Sequence, residues 1–398
     1  MNAPGQAEKV DVLVLGAGAA GFMAAIEAGK RGKNVVLLDH AETIGEKIRI
    51  SGGGRCNFTN VNTGPKNFVS ENPKFCVSAL ARYKPRDFLA LVEKHKIEWY
   101  EKTLGQLFCR ESANQIIEML LDELAASGGL LVAGASVRDI NKGEDFEVFT
   151  TRGNWRAPRL IVATGGPSIP KIGATGFAYE LAERFGIPVV RPRPALTPFL
   201  FDEDLKARSG KLAGVSTEVT ARTPGSPVFR EAGLFTHRGL SGPALLQASS
   251  YWRQGQPLTV DFAPGRDLGA ELIAAKTAHP KREIATALGA GLPQRLAAFL
   301  AEEAQAWGTL ADASHAELRR VGAAIHALDL RPVGLEGWRI AEVAAGGVDV
   351  RALDSQSMEV RAVPGLHFIG ECLDVTGWLG GYNFQWAWAS GAAVGRSI

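Results

Sequence analysis

The chain has 398 residues, 46% hydrophobic and 22% charged, with 44 basic against 42 acidic residues for a net charge of +2. This composition excludes a disordered or fibrous chain, and the length exceeds one simple core, so two or three domains are expected. The near-neutral balance neither demands nor excludes nucleic acid, because an enzyme that visits RNA needs only a local basic surface. Short basic runs stand at residues 81–86, 191–194 and 279–282.

The four cysteines, Cys56, Cys76, Cys109 and Cys372, have irregular spacing with no Cys-x-x-Cys pair, which argues against a zinc site. No basic-then-apolar leader is visible, and the apolar stretch from Val12 to Ile26 is too short and glycine-rich for a spanning helix. The expectation is a cytoplasmic protein with reduced thiols, no metal and no stable membrane association.

In chain order, Val10 to Asp39 reads as strand, turn, helix and strand, with Gly32 expected at the helix C-cap. Inside it, "GAGAAG" (Gly16 to Gly21) fits G-x-G-x-x-G. Gly16 permits the tight turn, Gly18 lets the backbone approach a pyrophosphate, and Gly21 lets helix and strand pack closely. The helix start at Ala19 and Ala20 offers free N–H groups to phosphate. Asp39 ends the next strand 18 residues after Gly21, where a carboxylate can accept hydrogen bonds from an adenosine ribose. Together these features read as a nucleotide site, the alternative being a helix that merely packs tightly on its strand.

"RISGGGRCNFTN" (Arg49 to Asn60) follows. Three consecutive glycines lose much chain entropy on folding, so either a ligand lies against the backbone there or the loop is simply flexible. Further on, two helices are expected around "RDFLALVEKHK" and "SANQIIEMLLDELAAS", flanking a hairpin that turns near Gly105. Strand-like material runs from Leu130 to Thr151, and "RLIVATGG" is a buried strand entering a glycine turn at Thr164 and Gly165.

The Pro-rich stretch from Ile187 to Phe199 reads as a domain exit. The expected plan is an α/β fold with a nucleotide-binding domain split into residues 1–190 and 335–398. An inserted β domain over 191–265 and a helical insertion over 266–334 lie between them. "FIGECLDVTGWLGGYNFQWAWASG" (Phe368 to Gly391) reads as an apolar strand ending at Gly370 and Glu371, then glycines leading into an aromatic helix at Gly381, Tyr382 and Asn383. Such a closing segment favours FAD over NAD as the nucleotide, and "GGYN" reads as a backbone contact to the cofactor. Trp386 and Trp388 read as packing residues. No second G-x-G-x-x-G is present, so NAD(P)H, the expected electron donor, must bind by other means.

"GEKIRISGGGRCNFTN", "GLFTHRGLSGPALLQASSYW" and the closing segment above resemble the BaiN/RdsA-type FAD-dependent oxidoreductases from Val10 to Gly391. "ENPKFCVSALARY" and "YEKTLGQLFC" look closer still to the ribosomal-RNA dihydrouridine synthase branch. The resemblance implies a Rossmann-like FAD-binding domain split by an inserted β-barrel-like domain and a small helical subdomain. It also implies reduction of a uridine of 23S ribosomal RNA, of an activated C=C bond in a small molecule, or an amine oxidase activity. A non-catalytic RNA-binding flavoprotein is a third class. With FAD implied, Gly52, Gly53 and Gly54 would lie against the pyrophosphate or isoalloxazine, and Lys47 and Arg55 would meet phosphate or flavin carbonyl charge. Cys56 and Asn57 complete this loop as cofactor contacts.

Reduction of uracil requires hydride at C6 and a proton at C5. The resemblance marks Cys109 as the first candidate acid, because the wider family tends to carry Phe-Pro where this chain has Phe108 and Cys109. Cys109 also reads as a small buried hydrophobe. His237 and Arg238, in "LFTHRGLSGP", are the other candidates, His237 to orient a carbonyl or donate a proton, Arg238 to hold phosphate or stack on a base. A turn stabilised by its own side chains is the alternative for this cluster.

Overall fold

A computed structural model describes residues 7–398. The chain forms two compact units, one of residues up to Arg193 together with Val343–Ile398, the other of Pro194–Glu342.

The first unit is organised by a five-stranded sheet in the order Leu366–Phe368, Arg159–Val162, Val12–Leu15, Val35–Leu38 and Leu130–Val132, every pair parallel. The β-branched and leucine runs at 12–15 and 35–38 are fully buried, as a sheet covered on both faces requires. Between them runs the helix Ala19–Gly29. It ends three residues before Gly32, which instead forms the following turn with φ +76° and an N–H donated to the Gly29 carbonyl at 2.8 Å.

The C-terminal helix, Tyr382–Ser397, lies along this first helix. Small residues make the approach feasible. A Cβ added at Gly391 would sit 2.4 Å from the Ala20 carbonyl oxygen, and one at Gly395 would sit 2.6 Å from that of Ala24. Its aromatic side chains pack as expected. Trp388 stacks on Phe88 at 4.2 Å between ring centres and donates its indole N–H to the Phe58 carbonyl at 2.8 Å. Trp386 donates to the Gly370 carbonyl at 3.0 Å, tying the helix to the end of the last strand.

Helices Pro85–Lys94 and Asn114–Ala126 flank the hairpin of Trp99–Glu101 and Gln106–Cys109, which turns through Gly105 at φ +78°. A further strand, Asn57–Asn60, pairs antiparallel with Gln106–Cys109. A short helix, Cys76–Arg82, precedes the pair.

The second unit holds a seven-stranded antiparallel sheet that includes Ser216–Arg222, Phe229–Phe235 and Leu258–Asp261. Helices Leu268–Ala278, Ile284–Leu288, Gln294–Glu303 and His315–His326 follow. Ser314 caps the last of these, its hydroxyl accepting from the Glu317 N–H while Glu317 accepts from the Ser314 N–H. Among the described residues, no helix is long and apolar enough to cross a membrane.

Candidate cofactor and active site

The strand Val12–Leu15 delivers the chain into the glycine turn. Gly16 has φ +102°, and a Cβ there would lie 2.5 Å from the Ala163 carbonyl oxygen, so no other residue fits. A Cβ on Gly21 would lie 1.9 Å from the Gly16 carbonyl oxygen. Gly18 differs, because nothing lies within 4 Å of the position its Cβ would take. Packing explains Gly16 and Gly21. At Gly18 the open space lies on the side from which a ligand would approach. Gly18 is also the N-cap of Ala19–Gly29, with no side-chain cap and no acidic residue in the first turn. The N–H groups at Ala19, Ala20 and Gly21 are therefore available to an anion.

Asp39 closes the loop. Its Oδ2 accepts the Ala17 N–H at 2.6 Å and its Oδ1 the Ala41 N–H at 2.9 Å. A carboxylate has about four lone-pair sites, so acceptor capacity for ribose hydroxyls is left. Thr164 stands across from Gly16, and its Oγ1 is buried without a hydrogen-bond partner. Such an orphan is rare, and a ligand hydroxyl or phosphate oxygen would satisfy it. The open face at Gly18, the uncapped helix start and the Thr164 hydroxyl fit the phosphate and ribose of a dinucleotide such as FAD.

A polar knot lies beside Gly165, Gly166 and Gly370. Lys47 donates to Glu371 at 2.5 Å and to the Ser168 hydroxyl at 2.6 Å, and Ser168 donates to Glu371 at 2.8 Å. The Ala344 N–H reaches Glu371 at 3.0 Å. Lys47 and Glu371, expected as separate cofactor contacts, are thus each other's partner. Tyr179 was not anticipated. Its hydroxyl is buried without a partner beside Gly166, and burial, then the neighbouring Glu371, pushes its phenol up from the ordinary range. Nothing local in the sequence singles out Ser168 or Tyr179.

In the triple-glycine loop, Gly52, Gly53 and Gly54 have φ of +58°, +67° and +83°. A Cβ at Gly52 would meet the Phe108 ring at 2.8 Å, whereas Gly53 and Gly54 face open space. Arg55 is exposed at the loop tip, and its carbonyl accepts the Cys109 N–H at 2.9 Å. Asn57 has its amide beside Gly381, where a Cβ would lie 2.4 Å from the Thr59 carbonyl oxygen. Asn383 holds the Gly377 peptide from both sides, accepting its N–H at 2.8 Å and donating to its carbonyl at 3.0 Å. Tyr382 packs edge-on against Phe68 and Trp378. Asn383 and Tyr382 therefore shape the turn that presents Gly381.

Cys109 sits on the strand Gln106–Cys109, whose side chains alternate between two faces. Gln106 meets Gly380 and Phe108 meets Gly52, on the glycine-loop face. Leu107 and Cys109 take the other face and belong to the apolar core. Burial pushes the Cys109 thiol up to about 12, and burial with the nearby Cys109 also pushes Cys56 up. Both stay protonated thiols.

His237 and Arg238 lie in the second unit, exposed at the turn between Phe229–Phe235 and Gly239–Ser241. The Thr236 hydroxyl accepts the N–H groups of Arg238 and Gly239 at 3.2 and 3.1 Å, and Arg238 reaches Glu336 at 3.3 Å. The turn is held by Thr236, leaving the His237 ring at the surface.

Comparison with known proteins adds to this geometry. Residues 10–397 match the family described as HI0933-like protein Rossmann domain. The chain is 45% identical to the ribosomal RNA dihydrouridine synthase of Escherichia coli (strain K12) over 98% of each chain. It is 29% identical to the 3-dehydro-bile acid delta(4,6)-reductase of Clostridium scindens over 96% of this chain and 98% of that one. Among solved structures, a quinol-fumarate reductase with menaquinol aligns with TM-score 0.50 and 14% identity, covering 98% of this chain and 71% of the other, a likeness of fold.

Proposed function

Since the chain belongs to the HI0933-like Rossmann family and is an FAD-dependent oxidoreductase, we propose that it reduces a uridine of 23S ribosomal RNA to dihydrouridine. Full-length similarity at 45% identity to the Escherichia coli ribosomal RNA dihydrouridine synthase carries this reading. NAD(P)H is the proposed electron donor.

When bound and reduced, FAD supplies the hydride that adds to uracil C6. The chain's own residues do the rest. The first turn of Ala19–Gly29 and the open face of Gly18 hold the pyrophosphate, and Asp39 takes the adenosine ribose. The Thr164 hydroxyl takes a polar group of the same cofactor. Gly53 and Gly54 would let the backbone lie against it, and Arg55 would meet phosphate or flavin carbonyl charge. Glu371 and Lys47 fix the loops on either side by their ion pair.

For the proton at uracil C5, the proposed donor is His237 rather than Cys109. Histidine is the commonest general acid, and the His237 side chain is exposed at its turn. Arg238 beside it is the proposed phosphate contact. The Cys109 thiol carries a proton, but it faces the core, so its proposed role is packing beneath the triple-glycine loop.

A second reading, reduction of an activated C=C bond in a small molecule, rests on the 29% identity to the bile-acid reductase. The chemistry is the same, hydride addition to a carbon conjugated with a carbonyl. The test is the dihydrouridine content of large-subunit ribosomal RNA from cells lacking the protein. Loss of one dihydrouridine, restored with the gene, supports the RNA reading, and an unchanged content overturns it.

A further inference from the structure

On the core side of the strand Gln106–Cys109, Leu107 helps line a cleft of about 410 Å3 with Val61, Leu80 and Leu89. This is the face opposite Gln106 and Phe108, and so opposite the glycine loops. Val61 and Val77, both lining residues, are 47% and 44% exposed. Apolar side chains exposed together around a cleft of this size mark a binding surface.

The rim is basic. Lys84 and Arg86 line the cleft and are exposed, and among the described residues their head groups take no hydrogen bond or ion pair. Among the described residues no carboxylate lines it. The adjacent Asp87 is turned to the Lys84 backbone N–H at 2.6 Å, where it caps the helix Pro85–Lys94. Among the described residues neither cation is ion-paired, and both stand next to apolar walls.

We propose that this cleft is a second RNA contact, taking an unstacked base of a nucleotide other than the reacting uridine while Lys84 and Arg86 meet the flanking phosphates. It rests on the ribosomal-RNA reading above. Charge complementarity selects the occupant. A nucleotide joins an apolar flat face to an anionic tether, and the cleft joins apolar walls to a cationic rim. An apolar peptide would leave both cations unmatched. The contact also gives the basic run at residues 81–86 a role in a chain of net charge +2.

The test uses full-length FAD-loaded protein and labelled large-subunit ribosomal RNA from cells lacking it, in filter binding over a salt series. Two variants are compared with wild type. Lys84→Gln with Arg86→Gln removes the cations, and Ala81→Phe fills the cleft from an exposed lining position. The double variant should bind about tenfold more weakly with a salt slope lower by about 1 to 2. Ala81→Phe should weaken binding at unchanged slope. Flavin content should match wild type in both. Wild-type affinity and slope in both variants would overturn the proposal while leaving the substrate reading intact. Failure of wild type itself to bind RNA would overturn both. An Ala81→Phe protein that loses an acidic leucine-rich peptide but keeps RNA would show a protein-docking cleft and overturn it too.

Discussion

The Lys47 ammonium lies 2.5 Å from the Glu371 carboxylate, 324 residues further along the chain. The pair joins the segment after the second parallel strand to the end of the last one. Lys47→Met would leave a carboxylate only 16% exposed with Ser168 and the Ala344 N–H alone. The expected cost is about 1–3 kcal/mol, with weaker flavin retention, and Lys47→Arg should recover part of it. Urea unfolding of the flavin-loaded protein measures the first, and flavin absorbance after gel filtration the second.

Gly18 and Gly21 should fail differently. The Cβ that Gly18→Val adds has no protein atom within 4 Å of it, so the fold should keep nearly its wild-type melting temperature while flavin is lost. Gly21→Ala drives its Cβ to 1.9 Å from the Gly16 carbonyl oxygen and should destabilise the protein by about 1–3 kcal/mol or more. Thermal unfolding of the apoproteins separates the two.

Thr164→Val removes a hydroxyl that has no partner in the protein. The apoprotein should be as stable as wild type or slightly more so, and flavin affinity should fall about tenfold, the scale of one buried hydrogen bond. Titration of apoprotein with FAD checks this, and unchanged affinity would remove Thr164 from the cofactor site.

Cys109→Ala should cost about 1–2 kcal/mol of stability, yet the folded, flavin-loaded variant should still form dihydrouridine. A folded, flavin-loaded variant without product would restore the thiol as the acid. The raised thiol also sets a pH dependence. Its contribution to stability is full below the ordinary value of 9.0 and is lost as pH rises through about 12. Cys109→Ala should flatten part of the decline in stability over that window.

Local features were readable in the sequence. The strands at 12–15 and 35–38 and the intervening glycine turn follow from contiguous apolar runs and glycine spacing. The hairpin at Gly105 follows from its flanking β-formers. Features made by distant segments were not readable. Nothing near Lys47 announces Glu371, and nothing near Gly391 announces the Ala20 carbonyl it packs against. The helix Cys76–Arg82 is only seven residues long and lacks a side-chain cap, so its pattern is too short to stand out. The face of Cys109 depends on register against Asn57–Asn60, which composition does not reveal. Thr164 was legible as part of a glycine turn, but its missing partner is a property of the folded site alone.

The most direct measurement is an anaerobic single turnover. Protein carrying reduced flavin is mixed with large-subunit ribosomal RNA from cells lacking it, and flavin absorbance and dihydrouridine are followed together. The account predicts flavin reoxidation in step with one dihydrouridine formed per flavin. Flavin that stays reduced with RNA but is oxidised by a small conjugated enone would contradict it and assign the chain to small-molecule reduction.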